Sequence, residues 1–449
     1  MRKTVSIILA AALLTTSIAG CGKKETADTS GAATTGGAVE SSAEAASSTA
    51  GEKTKIQLMG PWVVESPEDQ VLAGVVKGFE EAHPEYEVEL IGVPSADLLT
   101  NVQSMAASNT LPDLVITNGA NNAAWKEMGI VEDIGSEFDQ EFLDGFYPEM
   151  LKEFTYNDEL FGLPMCAAPF VLLLRNDLLQ EAGLKVPENF DEIVETAQKL
   201  TVDTDGDGKA DRYGMSLMGF PDGNNALRFT LALFAADAPD IYKDDNGKWA
   251  TKINSEGGIR AFQLYYNLAI RDGSVPQGAT EVDYKTMVNL LATDQVAMAI
   301  SGPHTIGNIV VQNPEMEGKF IAVPLKDKNT VAYLNPYGMI MFKDAPNKAG
   351  AIEFLKYAAD NFVEMTRVTK RPPARIELEA VAREAAPEVE AILDCAQYNI
   401  DYVAVPFRGE ESNIVAENVN AMLAGSIKSP EEAAKLTADA VQAVLDANN

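Results

Sequence analysis

Apolar residues recur along most of the chain at either strand or helix spacing, and the alternation between the two is the first structural signal. Lys55–Met59 reads as a strand that Gly60-Pro61 interrupts. From Pro67 to His83, residues Val71, Leu72, Val75, Val76 and Phe79 share one face of a predicted helix. Glu87–Val93 alternates with the period of a strand, residues 95–108 read as a helix, and Leu114–Thr117 follows Pro112-Asp113 as a short apolar strand. Phe161–Met165 precedes Phe170–Leu174, a run apolar enough for a buried strand. Pro187–Leu200, Gly257–Ile270 and Lys285–Leu291 predict helices, and Val296–Ile300, Phe320–Val323 and Tyr337–Phe342 predict strands. Lys348–Tyr357 is a further predicted helix, and a closing one starts at Pro430 with Ser429 as its N-cap. Strands alternating with helices imply an α/β fold built on parallel-rich sheet, whose ligands sit beyond the carboxyl ends of the strands.

The first fifty residues follow a different pattern. Arg2 and Lys3 precede the apolar run Val5–Leu14, which is too short to span a membrane and fits a leader peptide covering residues 1–20. Ile18-Ala19-Gly20-Cys21 resembles a bacterial lipobox, so Cys21 is expected to carry lipid and to begin the mature chain; a plain signal peptide cut elsewhere is the alternative. Residues 21–53 are rich in Ser, Thr, Ala and Gly, with Val39 the one large aliphatic residue. Such a stretch cannot bury enough apolar surface to offset its ordering entropy, and it reads as a flexible tether. The expected location is outside the cytoplasm, on the cell membrane, with Cys21 as anchor.

Charge removes whole classes of function. Lys and Arg number 35 and Asp and Glu 67, a formal net of −32, which loss of Arg2 and Lys3 would take to −34. That field repels phosphate backbones, so a nucleic-acid partner is not expected. The presence of only His83 and His304 argues against a multi-histidine catalytic zinc centre. Of three cysteines, Cys166 and Cys395 remain after Cys21 is set aside, and sequence alone does not pair them.

The order of segments resembles the extracellular solute-binding proteins of family 1, the maltose-binding-protein-like class that serves ABC importers. Glu159-Leu-Phe-Gly-Leu-Pro-Met165, Leu173-Leu-Arg-Asn-Asp177, Ala182-Gly-Leu184 and Phe190-Asp-Glu192 carry it, with Asp203–Asp211 before Tyr213-Gly214, and Asp294-Gln-Val-Ala-Met298 before Ser301-Gly-Pro303. His304 and Asn335-Pro-Tyr-Gly338 depart from the family's usual Trp and Gly-Gly. The resemblance implies a two-lobed, periplasmic-binding-protein-like α/β fold of the class II type, with a hinge between lobes. It implies one lobe from 54–166 and 326–368 and another from 167–325 and 369–449. A monomer is expected, closing on a ligand and presenting it to permease subunits.

Sugars offer hydroxyl edges and weakly apolar faces, so amides, imidazoles and flat rings in loops are the candidate contacts. These are Trp62, Asn118, Asn121, Met165, Asn224, Asn225, His304 and Tyr337. Ordinary packing is the alternative for Trp62, Met165 and neighbouring Cys166, and turn chemistry for the asparagines. Arg371 could reach the cleft, whereas Arg375 reads as a structural ion-pair residue. Asp203, Asp205, Asp207 and Asp211 have the spacing of an EF-hand loop, but Gly214 stands where the bidentate glutamate belongs. A single structural Ca²⁺ remains an expectation there, against a solvated turn; no other cofactor is expected.

A carbohydrate, an oligosaccharide above all, is therefore the expected cargo. The same fold could take a peptide or polyamine, or present its ligand to a sensor. A two-carboxylate glycoside hydrolase is disfavoured, because the segment order matches a non-catalytic architecture.

Overall fold

Strand β1 (Thr54–Gly60) leads through helix α1 (Glu68–Ala82) to strand β2 (Tyr86–Gly92), then through α2 (Leu98–Ser108) to β3 (Leu114–Asn118) and, further on, β4 (Gly162–Ala167). The computed structural model describes residues 53–65, 67–386 and 394–449. The leader, Cys21 and the tether up to residue 52 lie outside them. A second series follows: β5 (Val171–Arg175), α3 (Phe190–Leu200), β6 (Tyr213–Ser216), α4 (Gly223–Ala235), α5 (Glu256–Tyr266), α6 (Tyr284–Ala292), β7 (Val296–Ser301), α7 (Pro303–Gln312) and β8 (Phe320–Val323). The chain returns with β9 (Pro336–Met341), α8 (Lys348–Asn361), α9 (Val363–Thr369) and α10 (Glu379–Ala385), and ends with α11 (Arg408–Leu423) and α12 (Pro430–Ala447).

Two main sheets result, one per lobe, beside three two-stranded ones. The first has the order β2-β1-β3-β9-β4 and the second β8-β5-β7-β6. Both are mixed, which corrects the parallel-rich expectation. β1 runs parallel to β2 and β3, and β7 to β6, but β9 is antiparallel to β3 and β4, and β5 to β7 and β8. The reversals arise because β4, β5 and β9 are the strands by which the chain crosses between lobes.

The continuous apolar run in β5 has a direct cause. Its even and odd side chains serve opposite faces of a sheet covered on both sides: Leu172 and Leu174 pack into one core with Phe190, Phe229 and Tyr265, and Val171 and Leu173 into another with Leu291 and Ile309. The first lobe gathers its own core around Phe79, Trp125, Phe161 and Phe342, where Val71, Leu72, Val75, Val76 and Phe79 of α1 are all buried as their spacing predicts. Helix starts are fixed locally. Asn189 Oδ1 accepts from the Glu192 backbone N–H at 2.9 Å while its Nδ2 donates to Glu192 Oε1 at 2.8 Å, and Ser429 caps α12 as expected.

Three segments lie side by side at the crossing. Phe170 and Tyr333 exchange backbone hydrogen bonds of 2.8 and 3.1 Å, and Ala332 bonds to Tyr398 and Ile400 at 2.8 Å each. The expected boundaries shift accordingly. Leu325, Val331 and Tyr333 pack in the second lobe, so the chain leaves it near 334 rather than 325. Residues 369–386 stay with the first lobe, where Ala374 joins the core and Tyr147 donates to Glu379 at 2.6 Å. Cys395 then packs in the second lobe.

Candidate functional site

Gly60 ends β1 at φ +151, where a Cβ would come within 2.7 Å of Ile116 Cβ. Only glycine lets the chain turn there into Pro61-Trp62. The turn buries Trp62 to 1% exposure between Tyr337, with ring centres 5.9 Å apart, and Phe362, at 5.6 Å. Trp62 therefore backs Tyr337 from inside the lobe and offers no open face, which corrects its expected role as a stacking surface. Tyr337 itself is half-buried, pairs in register with Asn118, and lies 5.5 Å beneath the Arg371 guanidinium. Arg371 Nη2 donates to Glu68 Oε1 at 2.8 Å, and both side chains are buried. Its Nε and Nη1 are buried without a hydrogen-bond partner. Burial works against the Arg371 charge, but Glu68, Cys166 and Tyr337 together outweigh it and hold the pKa above the ordinary value.

The second lobe presents the opposite wall. Gly302-Pro303 open α7 and set His304 in its first turn, where the ring lies 6.0 Å from Tyr284, 26° from parallel, and 6.4 Å from Phe170. Tyr284 is half-buried, and its hydroxyl accepts from Asn308 Nδ2 at 2.9 Å. Arg228 projects from α4 with its guanidinium 4.6 Å over Phe170 and 5.8 Å from the Tyr284 ring, and its Nε donates to Ile300 O at 2.9 Å. His304 Nδ1 and both amide atoms of Asn225 are buried without a partner. Burial, with help from Arg371 and Arg228, pulls the His304 pKa well below its ordinary value, so the imidazole is neutral at pH 7.

The two walls face each other. Gly307 of α7 sits against Thr369 of α9, with 3.2 Å from its Cβ position to the Thr369 carbonyl. Tyr284 and Tyr337, one on each wall, are both half-buried.

The other expected site residues fall elsewhere. Asn118 Nδ2 donates to Asn335 Oδ1 at 3.2 Å, while Asn335, at φ +44, takes the Ala168 amide on its carbonyl at 3.1 Å. Asn118 thus braces the crossing. Asn121 closes a 3₁₀ turn, half-buried, with its neighbour Asn122 bonded to the Glu153 carbonyl. Met165 and Cys166 lie in the first lobe's core, so the packing alternative holds for both. Cys166 and Cys395 are both buried. Asn224 stands in the first turn of α4, and its side chain lies outside the described residues. Arg375 donates to Phe142 O at 2.8 Å and packs on the Phe142 and Phe146 rings at 4.8 and 4.9 Å, a structural post.

Asp203, Asp205 and Asp211 bring carboxylate oxygens within 4.8 Å of one another on the exposed 203–211 loop. Asp207 is not part of that group; its carboxylate accepts from the Lys209 amide at 2.8 Å. Asp203 accepts from the Gly206 and Gly208 amides at 2.7 and 2.9 Å, and Asp211 from the Thr204 amide at 2.7 Å.

Residues 65–361 match the family described as bacterial extracellular solute-binding protein. The chain belongs to that family. This extracellular solute-binding protein is 24% identical over 288 residues to a binding protein of Brucella abortus, covering 63% of this chain and 67% of the relative. It is 23% identical over 265 residues to the multiple sugar-binding protein of Streptococcus mutans, 58% of this chain and 60% of that one. Among solved structures, the maltose-bound binding protein of T. maritima superposes with a TM-score of 0.76 at 23% identity, covering 87% of this chain and 99% of that one, a likeness of fold. No described helix is long and apolar enough to cross a membrane. The family's members bind solutes, so the glycoside hydrolase alternative falls away.

Sequence reasoning missed Phe170, Arg228, Tyr284 and Glu68 as wall residues. One signal was present. Arg228 is the lone charge in Ala226–Ala236, and a single cation in so apolar a helix is rarely idle.

Proposed function

We propose that this protein captures a carbohydrate, an oligosaccharide, between its lobes and delivers it to the permease subunits of an ABC importer. One observation carries the reading. Tyr284 and Tyr337, one from each lobe, keep accessible rings in a crevice where His304 Nδ1 and the Asn225 amide are buried without partners. Rings suit the C–H faces of a sugar, and buried polar atoms without partners are costly until hydroxyls meet them. The sugar-binding relative in Streptococcus mutans and the maltose in the T. maritima structure support the same class of cargo.

A polyamine would need free carboxylates in the crevice. The buried one there, Glu68, is engaged by Arg371. A thermal-shift screen of the purified protein with mono- and oligosaccharides, amino acids, peptides and polyamines tests the assignment, since a ligand of the folded state raises the midpoint. An oligosaccharide is expected to raise it; a rise with polyamines or peptides alone contradicts the reading.

Cys21, in its lipobox-like setting, supports a lipid anchor on the outer face of the cell membrane, with a monomeric binding body on a tether. The 203–211 loop supports a structural Ca²⁺ on Asp203, Asp205 and Asp211, three hard oxygen donors with little else to neutralise them.

A further inference from the structure

We propose that Phe220 is a further ring of the binding site, on which a sugar unit beyond a disaccharide stacks, and that it sets the protein's preference for chain length. The inference rests on the carbohydrate reading and adds to it a residue and a length requirement.

Exposure singles Phe220 out. The chain has 17 phenylalanines, and all but one are buried or half-buried, as suits a ring without a polar atom. Phe220 is 43% exposed. A lone apolar side chain on a loose loop tip would carry no message, but this loop is fixed from several sides. Gly219 N donates to Ala279 O at 3.0 Å and Phe220 N to Val282 O at 3.2 Å. Asn420 of α11 donates to the carbonyls of Gly219 and Thr280 at 2.7 and 3.1 Å and so pins the two segments together. The approach is close enough to require glycine at 219, where a Cβ would lie 2.4 Å from the Ala279 carbonyl oxygen and 2.9 Å from Leu423 Cδ1. Pro221 restricts Phe220 to extended backbone, and Asp222 N bonds back to the Phe220 carbonyl at 2.9 Å. The ring is therefore held in water by a braced backbone.

The loop also leaves the sheet at the site's edge. β6 and β7 run parallel, with Ser216 opposite Ala299, so both strands finish on the same side. The chain leaving β7 turns through Gly302-Pro303 into His304, and the chain leaving β6 forms the 217–222 loop. Ligands of open α/β sheets sit beyond that edge. Two bonds tie the loop to residues already placed there. Val282, which accepts from Phe220 N, lies two residues before Tyr284. Asp222 Oδ1 accepts from the Asn225 backbone N–H at 2.9 Å, and both side-chain amide atoms of Asn225 are buried without a partner.

The two side chains have different chemistry. A buried amide without partners discriminates by the hydroxyls it can bond. A phenyl ring bonds no hydroxyl and offers a flat apolar face, which suits the C–H face of any pyranose. Asn225 is fully buried and Phe220 exposed, so they lie at different depths, and a ligand that meets both spans more than one sugar ring. Asn225 selects the sugar, and Phe220 rewards length.

Calorimetry on the intact protein tests this with malto-, cello-, xylo- and manno-oligosaccharides of two, three and four units. In at least one series the wild type is expected to bind the tri- or tetrasaccharide about tenfold or more tighter than the disaccharide. Phe220→Ala and Phe220→Leu are expected to bring those affinities to within about threefold of each other, by weakening the longer ligand alone. Phe220→Trp, which keeps a flat ring, is expected to preserve the wild-type ratio. If Phe220→Ala does not fold, the Leu and Trp variants make the same comparison. A loss that is equal at every length marks a structural role and overturns the inference, as does no loss at all. Equal wild-type affinity for all lengths also overturns it and leaves the carbohydrate reading standing. Binding of no saccharide contradicts the carbohydrate reading itself, and the inference falls with it.

Discussion

His304 and Tyr284 stand 6.0 Å apart with 26° between their ring planes, and Asn308 holds the tyrosine hydroxyl in place at 2.9 Å. The pair gives the second lobe a fixed aromatic edge opposite Tyr337. If a sugar stacks there, His304→Ala and Tyr284→Ala should each weaken oligosaccharide affinity by about tenfold or more, or about 1.4 kcal/mol. Tyr284 is half-buried and His304 buried, so calorimetry should register the loss in both, while the melting midpoint should fall more for His304→Ala than for Tyr284→Ala.

Trp62→Ala should behave differently. The ring is 1% exposed and wedged between Tyr337 and Phe362, so its removal leaves a cavity and should cost about 3–5 kcal/mol of stability. Urea unfolding measures the cost, and any affinity loss should follow from a displaced Tyr337.

Glu68 and Arg371 form a buried pair at 2.8 Å between the start of α1 and the segment after α9. Glu68→Gln leaves the guanidinium with no buried counter-charge and should destabilise by about 3 kcal/mol. The double change Glu68→Gln with Arg371→Met should cost less than the single one, because it removes the stranded cation as well. Urea unfolding of the two variants checks the order.

Glu153 supplies a pH dependence. Burial pushes its pKa up to about 8, against an opposing pull from Arg408. Below the unfolded-state pKa near 4.5, both states are protonated. As pH rises from there to about 8, the unfolded chain gives up the proton while the folded one keeps it, so this group lowers stability across that window. Glu153→Gln should flatten the decline, and denaturation at pH 5 and pH 8 should show the variant gaining on the wild type as pH rises. An equal difference at the two pH values would contradict the assignment.

Calcium at millimolar concentration should raise the thermal midpoint, and chelator should reverse it, if Asp203, Asp205 and Asp211 take the ion. Asp203→Asn together with Asp205→Asn should abolish the response. A midpoint indifferent to calcium would leave the loop as a turn held by its own amides.

Much of the fold was legible in the chain because it rests on local periodicity. The α1 face and the β5 run are buried as their patterns imply, and Ser429 caps α12. The lobe boundaries were harder, since they depend on which core a residue such as Tyr333 or Ala374 joins, a long-range choice that local pattern does not encode. The site divided in the same way. His304 and Tyr337 follow breaks at Pro303 and Pro336, and the structure places the first beside Tyr284 and the second beneath Arg371. Asn118 occupies an equally suggestive strand end, yet Asn335, brought beside it from over two hundred residues away, claims its amide for the crossing. Arg228 lay inside an apolar helix whose orientation only the packed lobe reveals.

The most direct test is a crystal structure of the protein with the saccharide that raises its midpoint most. The account predicts the sugar between the lobes, ringed by Tyr284 and Tyr337, with His304 and Asn225 bonded to its hydroxyls. A saccharide seated elsewhere on the surface, with those groups still without partners, would contradict it.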